Sequence, residues 1–140
     1  MSIVKIKYDT SLMKLFPYFE SVTRVQVRDC VDQGERLIFF VDAHELGKAV
    51  GKHAVNVKHL EFKLKKKIKV IGYSEDKITL LKNIVFPLTI ADVQEDGDTL
   101  ILTSPDHQTR GMLIGRGGQN LRSLEQLMQR FFPVKEIKVL

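Results

Sequence analysis

The chain has 140 residues, 44% of them apolar and 28% charged, the balance of an ordinary globular protein, which excludes wholesale disorder and fibres. No apolar run nears the roughly 20 residues that cross a bilayer, residues 1–7 carry no long apolar core or cleavage-like site, and the lone Cys30 excludes an internal disulfide or a Cys-rich zinc site, so a cytoplasmic protein is expected. The formal charge of +5 favours an acidic partner without identifying it.

In chain order, Leu12, Leu15, Phe16 and Phe19 have the spacing of one helix face, with Pro17 marking a kink or a second start. Val25, Val27 and Cys30-Val31 read as a strand, residues 32–35 as a turn, and residues 36–41 as a buried strand. A helix is expected over 43–50, an interruption at Gly51, a second helix over 54–65 with Val57, Leu60 and Leu64 on one stripe, and a strand over 67–71. Residues 76–85 then predict a helix that stops before Pro87. Strands follow at 88–93 and 99–103 around a turn at 95–98. Asp106 caps a helix reaching Leu113, residues 115–118 break it, 119–131 are helical again, and 136–140 form the last strand. The order α-β-β-α-α-β thus occurs twice.

The residues repeat as well. At an offset of 64, Asp42, Gly47, Gly51, Asn56, Leu60 and Glu61 meet Asp106, Gly111, Gly115, Asn120, Leu124 and Glu125. With a five-residue insertion allowed, Ile68-Lys69-Val70 meets Ile137-Lys138-Val139. Two copies make a duplicated domain, expected at 1–73 and 74–140, and not a solenoid. The joint, Gly72-Tyr73-Ser74-Glu75, has no Pro/Ser-rich linker, so a fixed orientation between the copies is expected.

The charge follows the repeat. Residues 47–72 hold eight lysines against Glu61, and residues 110–130 hold four arginines against Glu125. These segments carry +7 and +3 within a net +5, so the rest of the chain is acidic. Two basic segments on an acidic background are the footprint of a polyanion binder, although lysines also serve simply to keep helix faces solvated.

Between two predicted helices lies Ile114-Gly115-Arg116-Gly117-Gly118. Glycine lets the chain turn sharply and lets a sugar-phosphate backbone lie directly on it. The following helix points free N–H groups at the same place. Arg116 and Arg122 add charge, and Ile114 and Leu121 give an apolar floor for bases. A KH unit holds unpaired nucleotides this way. Glycines so spaced also make a plain helix–helix turn; the repeat and its flanks favour the clamp. There is no GxxxxGK[ST], and Gly115 follows a helix instead of a strand, so neither a P-loop nor a Rossmann site fits. The first copy reads Val50-Gly51-Lys52-His53-Ala54, with Lys58 at the place of Arg122. Its Ala54 adds a methyl and disfavours positive φ.

At these residues the chain resembles KH proteins, and its element order resembles their type II variant. More narrowly, it is similar to the archaeal NusA-like transcription factors. The stretches that carry this are Arg28-Asp29-Cys30, residues 46–52, residues 56–61, Tyr73-Ser74-Glu75-Asp76 and residues 111–121, together covering nearly the whole chain. The family has a GKGG-like loop in the first unit, where this chain has Gly51-Lys52-His53-Ala54. The resemblance implies an α+β fold of two tandem type II KH domains, each a three-stranded sheet covered by helices. It also implies single-stranded RNA binding in transcription termination or antitermination, with RNA polymerase as a candidate protein partner. The RNA-contacting residues would be Val50, Gly51, Lys52, His53, Ala54 and Lys58 in the first unit, and Ile114, Gly115, Arg116, Gly117, Gly118 and Arg122 in the second. Rival readings are a KH adaptor of ribosome assembly and a KH-fold interaction module that has lost RNA.

The remaining groups suggest no chemistry. His44, His53, His59 and His107 lack the paired spacing of a zinc site, and Cys30 has no His or acid placed beside it. Asp96 and Asp98 belong to a turn. Phe39-Phe40 and Phe131-Phe132 read as core, although one of each strand pair must face away and is open to a stacking role. No metal, cofactor, small-molecule substrate, membrane contact or catalytic activity is expected.

Overall fold

The computed structural model describes residues 10–140. The chain divides into two compact units, the first ending at Ser74 and the second running from Glu75 to Leu140. Both are α+β, each with one three-stranded mixed sheet and its own helices.

The first unit opens with α1 (Thr10–Met13) and α2 (Phe16–Thr23). Pro17 is therefore a second start: it sits in the first turn of α2, where a missing N–H leaves no helical bond unmade. The strands are β1 (Asp29–Asp32), β2 (Arg36–Asp42) and β3 (Lys67–Tyr73). In sheet order β1-β2-β3, β1 is antiparallel and β3 parallel to β2. The parallel pair needs a crossover, and the helical segment between β2 and β3 supplies it. That segment comprises a 3-10 turn (Ala43–Glu45), α3 (Leu46–Val50), a second 3-10 turn (Lys52–Ala54) and α4 (Val55–Leu64).

Alternation in β2 sends Leu37, Phe39 and Val41 into a cluster with Phe19, Ala49, Leu60 and Ile68. Phe39 stacks on Phe19, ring centroids 4.4 Å apart and 20° from parallel. Phe40 points the other way and is also wholly buried, so neither ring offers a platform to a base. Cys30 is a buried member of the same cluster. Arg28 bonds the Asp42 carboxylate at 3.0 Å and lies 4.6 Å from the centroid of the Tyr73 ring, tying the entry of β1 to the ends of β2 and β3.

One expectation fails here. Val25 and Val27 are buried but precede the strand. Their amides are taken by side chains, Val25 N–H donating to Thr23 Oγ1 at 3.1 Å and Val27 N–H to Glu20 Oε1 at 3.2 Å.

The second unit has α5 (Lys77–Val85), β4 (Asp92–Asp96), β5 (Thr99–Thr103), α6 (His107–Ile114), a 3-10 turn (Arg116–Gly118), α7 (Gln119–Phe131) and β6 (Glu136–Val139). The sheet runs β4-β5-β6, antiparallel and then parallel. Leu100 and Leu102 of β5, Ile137 and Val139 of β6, and Leu113, Leu124, Leu127 and Met128 of the helices are all buried. β4 starts four residues later than residues 88–93 suggested. It extends to Asp96, and Gly97-Asp98 alone make the hairpin loop. Gly97 takes φ +61, the positive angle that the primed two-residue turns demand.

Candidate nucleic-acid interface

Each unit joins two helices through a glycine-containing loop, and the two loops have the same backbone. In the second unit α6 starts at an Asp106 cap, whose Oδ1 accepts the Thr109 N–H at 2.6 Å. The Asp106 carboxyl is held below its usual value by that N–H first and the Thr109 hydroxyl second. The helix closes at Gly115, with φ 75 and ψ 172, whose N–H reaches Gly111 O at 2.8 Å. Gly117 (φ 61, ψ 20) and Gly118 (φ 76, ψ 14) are left-handed, and α7 begins at Gln119. In the first unit Gly51 has φ 81 and ψ 165, His53 φ 56 and ψ 31, and Ala54 φ 59 and ψ 30. A histidine and an alanine thus hold a geometry that glycine adopts freely. Shape survives in the first loop; the added side chains and the backbone strain are what set it apart.

Two residues that the repeat displays without explaining prove to shape the loops. Asn120 Nδ2 donates to Met112 O at 2.8 Å, and Asn56 Nδ2 to Lys48 O at 3.2 Å. Each amide reaches back across its loop to a free carbonyl at the end of the preceding helix. A Cβ on Gly115 would lie 2.6 Å from Asn120 Cγ, and one on Gly51 2.9 Å from Val55 Cγ1 and 3.0 Å from Asn56 Nδ2. The first glycine of each loop is therefore fixed by its asparagine as well as by its φ. Glu61 and Glu125 are explained too: their carboxylates accept the N–H of Ile68 at 3.1 Å and of Ile137 at 2.9 Å, docking α4 on β3 and α7 on β6.

The predicted site residues gather loop by loop. Val50 and Ile114 are half-buried at the loop entrances, while Lys52, His53, Arg116 and Gly117 are exposed at the tips. Arg122 folds back, its guanidinium donating to Gly117 O at 2.7 Å, so its charge sits at the loop. Lys58, its counterpart, is exposed on α4. Lys48, Lys52, Lys58 and Lys63 enter none of the ion pairs among the described residues. Lys66 pairs with Asp32 at 2.9 Å. Gly47, in the first turn of α3, and Gly111, in the middle of α6, are exposed, and a Cβ on either would meet nothing within 4 Å. Internal packing therefore does not call for glycine at these paired positions.

Of the histidines, His59 Nε2 lies 3.3 Å from the Tyr18 hydroxyl. Asp42, His44 and Glu45 come within 4.8 Å of one another at the surface, but Asp42 is engaged by Arg28. No helix among the described residues is long and apolar enough to cross a membrane.

No protein-family model matches the chain. It is similar to archaeal proteins named "Probable transcription termination protein NusA". It shares 34% identity with that of Methanococcus vannielii, over 97% of this chain and 80% of the relative. With that of Methanocaldococcus jannaschii it shares 30%, over 99% and 77%. With that of Thermoplasma acidophilum it shares 26%, over 99% of both. Among solved structures, the crystal structure of APE1850 superposes with a TM-score of 0.76 at 28% identity, over 91% of this chain and 96% of that one. On sequence across almost its full length, the chain belongs to the archaeal NusA-like family of transcription termination factors.

Proposed function

We propose that residues 1–73 and 74–140 are tandem type II KH domains and that the protein binds single-stranded RNA through its two helix–loop–helix elements in transcription termination or antitermination. The observation that carries this reading is the shared loop backbone, kept at residues 51–54 although two non-glycine residues must be left-handed to keep it. A plain turn between helices does not need that geometry, and a residue that strains it would be free to drift elsewhere. The exposed Gly47 and Gly111 support it, since a bare helix face one turn before each loop lets a sugar-phosphate chain lie flat. So do Lys48, Lys52, Lys58 and Lys63, which enter no ion pair among the described residues, and the Arg122 charge held at the second loop. RNA polymerase remains the candidate protein partner.

The test is a salt titration of binding to an unstructured RNA, with duplex DNA of equal length alongside. If about four phosphates are neutralised, the slope of log affinity against log salt is near −3, at roughly −0.7 per phosphate. A flat response, or preference for the duplex, would refute the reading.

A further inference from the structure

α4 presents a stripe to solvent that its counterpart lacks. Val55, His59 and Phe62 follow one another at i, i+4 and i+7, with Val55 56% and Phe62 67% exposed. At the equivalent positions α7 carries Gln119, Ser123 and Gln126. Glutamine at the place of Phe62 supports the same helix in the second unit, so the shared fold does not ask for an aromatic ring there.

The surroundings say what suits that ring. Lys58 and Lys63 flank it, and Lys65 Nζ stands 4.5 Å from its centroid. The acid on this helix, Glu61, is engaged with the Ile68 N–H. A purely apolar partner would leave the lysines without counter-charge, whereas a stretch of unpaired nucleotides brings a flat π-face and phosphates together.

We propose that Phe62 is a stacking platform for an unpaired base, extending a single-stranded RNA path from the first loop along α4. Phe62 lies eight residues beyond Ala54, a rise of about 12 Å, so the base it stacks lies beyond those held at the loop. The platform gives the first unit a source of affinity independent of its strained loop. This inference rests on the RNA-binding reading above, and the experiment separates the two.

The chain has no tryptophan, so Phe62→Trp introduces a lone indole reporter. It is titrated with unstructured 4-mer and 12-mer RNA, and affinities of wild type, Phe62→Ala, Phe62→Tyr and Phe62→Gln are read by anisotropy. The 12-mer is expected to quench the introduced indole, and Phe62→Ala and Phe62→Gln to weaken 12-mer binding on the order of tenfold, with Phe62→Tyr near wild type and 4-mer affinity unchanged. Melting temperatures should match, since the ring is exposed. Equal 12-mer affinity in wild type and Phe62→Gln, or an unquenched indole in the bound state, overturns the platform and leaves RNA binding intact. A wild type that binds neither oligonucleotide at low salt overturns both readings.

Discussion

Replacing Ala54 by glycine should stabilise the first unit. Ala54 sits at φ 59 and ψ 30 with its backbone N–H bonded to Gly51 O at 3.0 Å, so it cannot relax without losing the turn. A left-handed L-residue costs roughly 1–2 kcal/mol, and the extra freedom of glycine in the unfolded chain returns about 0.5–1 kcal/mol of that. The net gain is about 0.5–1 kcal/mol, or roughly 2–8 °C in melting temperature for a unit of this size. His53→Gly should gain less, because histidine tolerates this region better than alanine does. The reciprocal change is a clean control. At Gly118 a Cβ would meet only the Arg122 guanidinium at 3.2 Å, the far end of a flexible side chain, so Gly118→Ala should lose a similar amount without a backbone clash. Thermal and urea denaturation followed by circular dichroism measure both. If Ala54→Gly lowers the midpoint while Gly118→Ala leaves it unmoved, the left-handed strain is not where the angles place it.

On the proposed reading, an acidic residue in a loop puts negative charge where a phosphate would lie, so Gly117→Asp should weaken RNA binding at least tenfold, with His53→Asp costing less because Ala54 already limits approach; the opposite ranking in anisotropy would make the first unit the main site. Gly111→Ala should raise helix stability by about 1 kcal/mol, since its methyl meets nothing, yet weaken RNA binding; a stabilised variant with unchanged affinity would remove α6 from the interface. Asp106 has a depressed folded-state pKa, so its cap is fully stabilising above the ordinary carboxylate value of about 4 and is lost as pH falls through the lower folded value. The difference in melting temperature between wild type and Asp106→Ala should therefore hold from about pH 5 upward and shrink on acidification; a gap that widens in acid would contradict this.

The helices, the repeat and both loops were legible because burial leaves a period in the sequence and glycine marks sharp turns. The strands were less so. Alternation at Val25 and Val27 reported burial correctly, but pairing did not follow, because Thr23 and Glu20 satisfy those amides. β4 was shifted because its residues, Asp-Val-Gln-Glu-Asp, lie mostly exposed and carry no alternation; the two-residue hairpin sets its register. Within the site, residue types were readable and backbone angles were not. Nothing in His53-Ala54 announces two left-handed residues. The asparagines were visible only as a coincidence of the repeat, and their meaning depends on which carbonyl is left free eight residues earlier.

That asparagine bridge makes each loop a finished object before any ligand arrives. Met112 O and the Asn120 amide close the span, and Arg122 holds Gly117 O from the other side. A ligand landing there finds little left to order, so association loses little conformational entropy at the loop itself. The same stiffness denies the loop any adjustment to the base it meets. On the proposed RNA-binding reading, a clamp set at folding would grip every nucleotide by the backbone alike, and discrimination among bases would fall to the side chains around it.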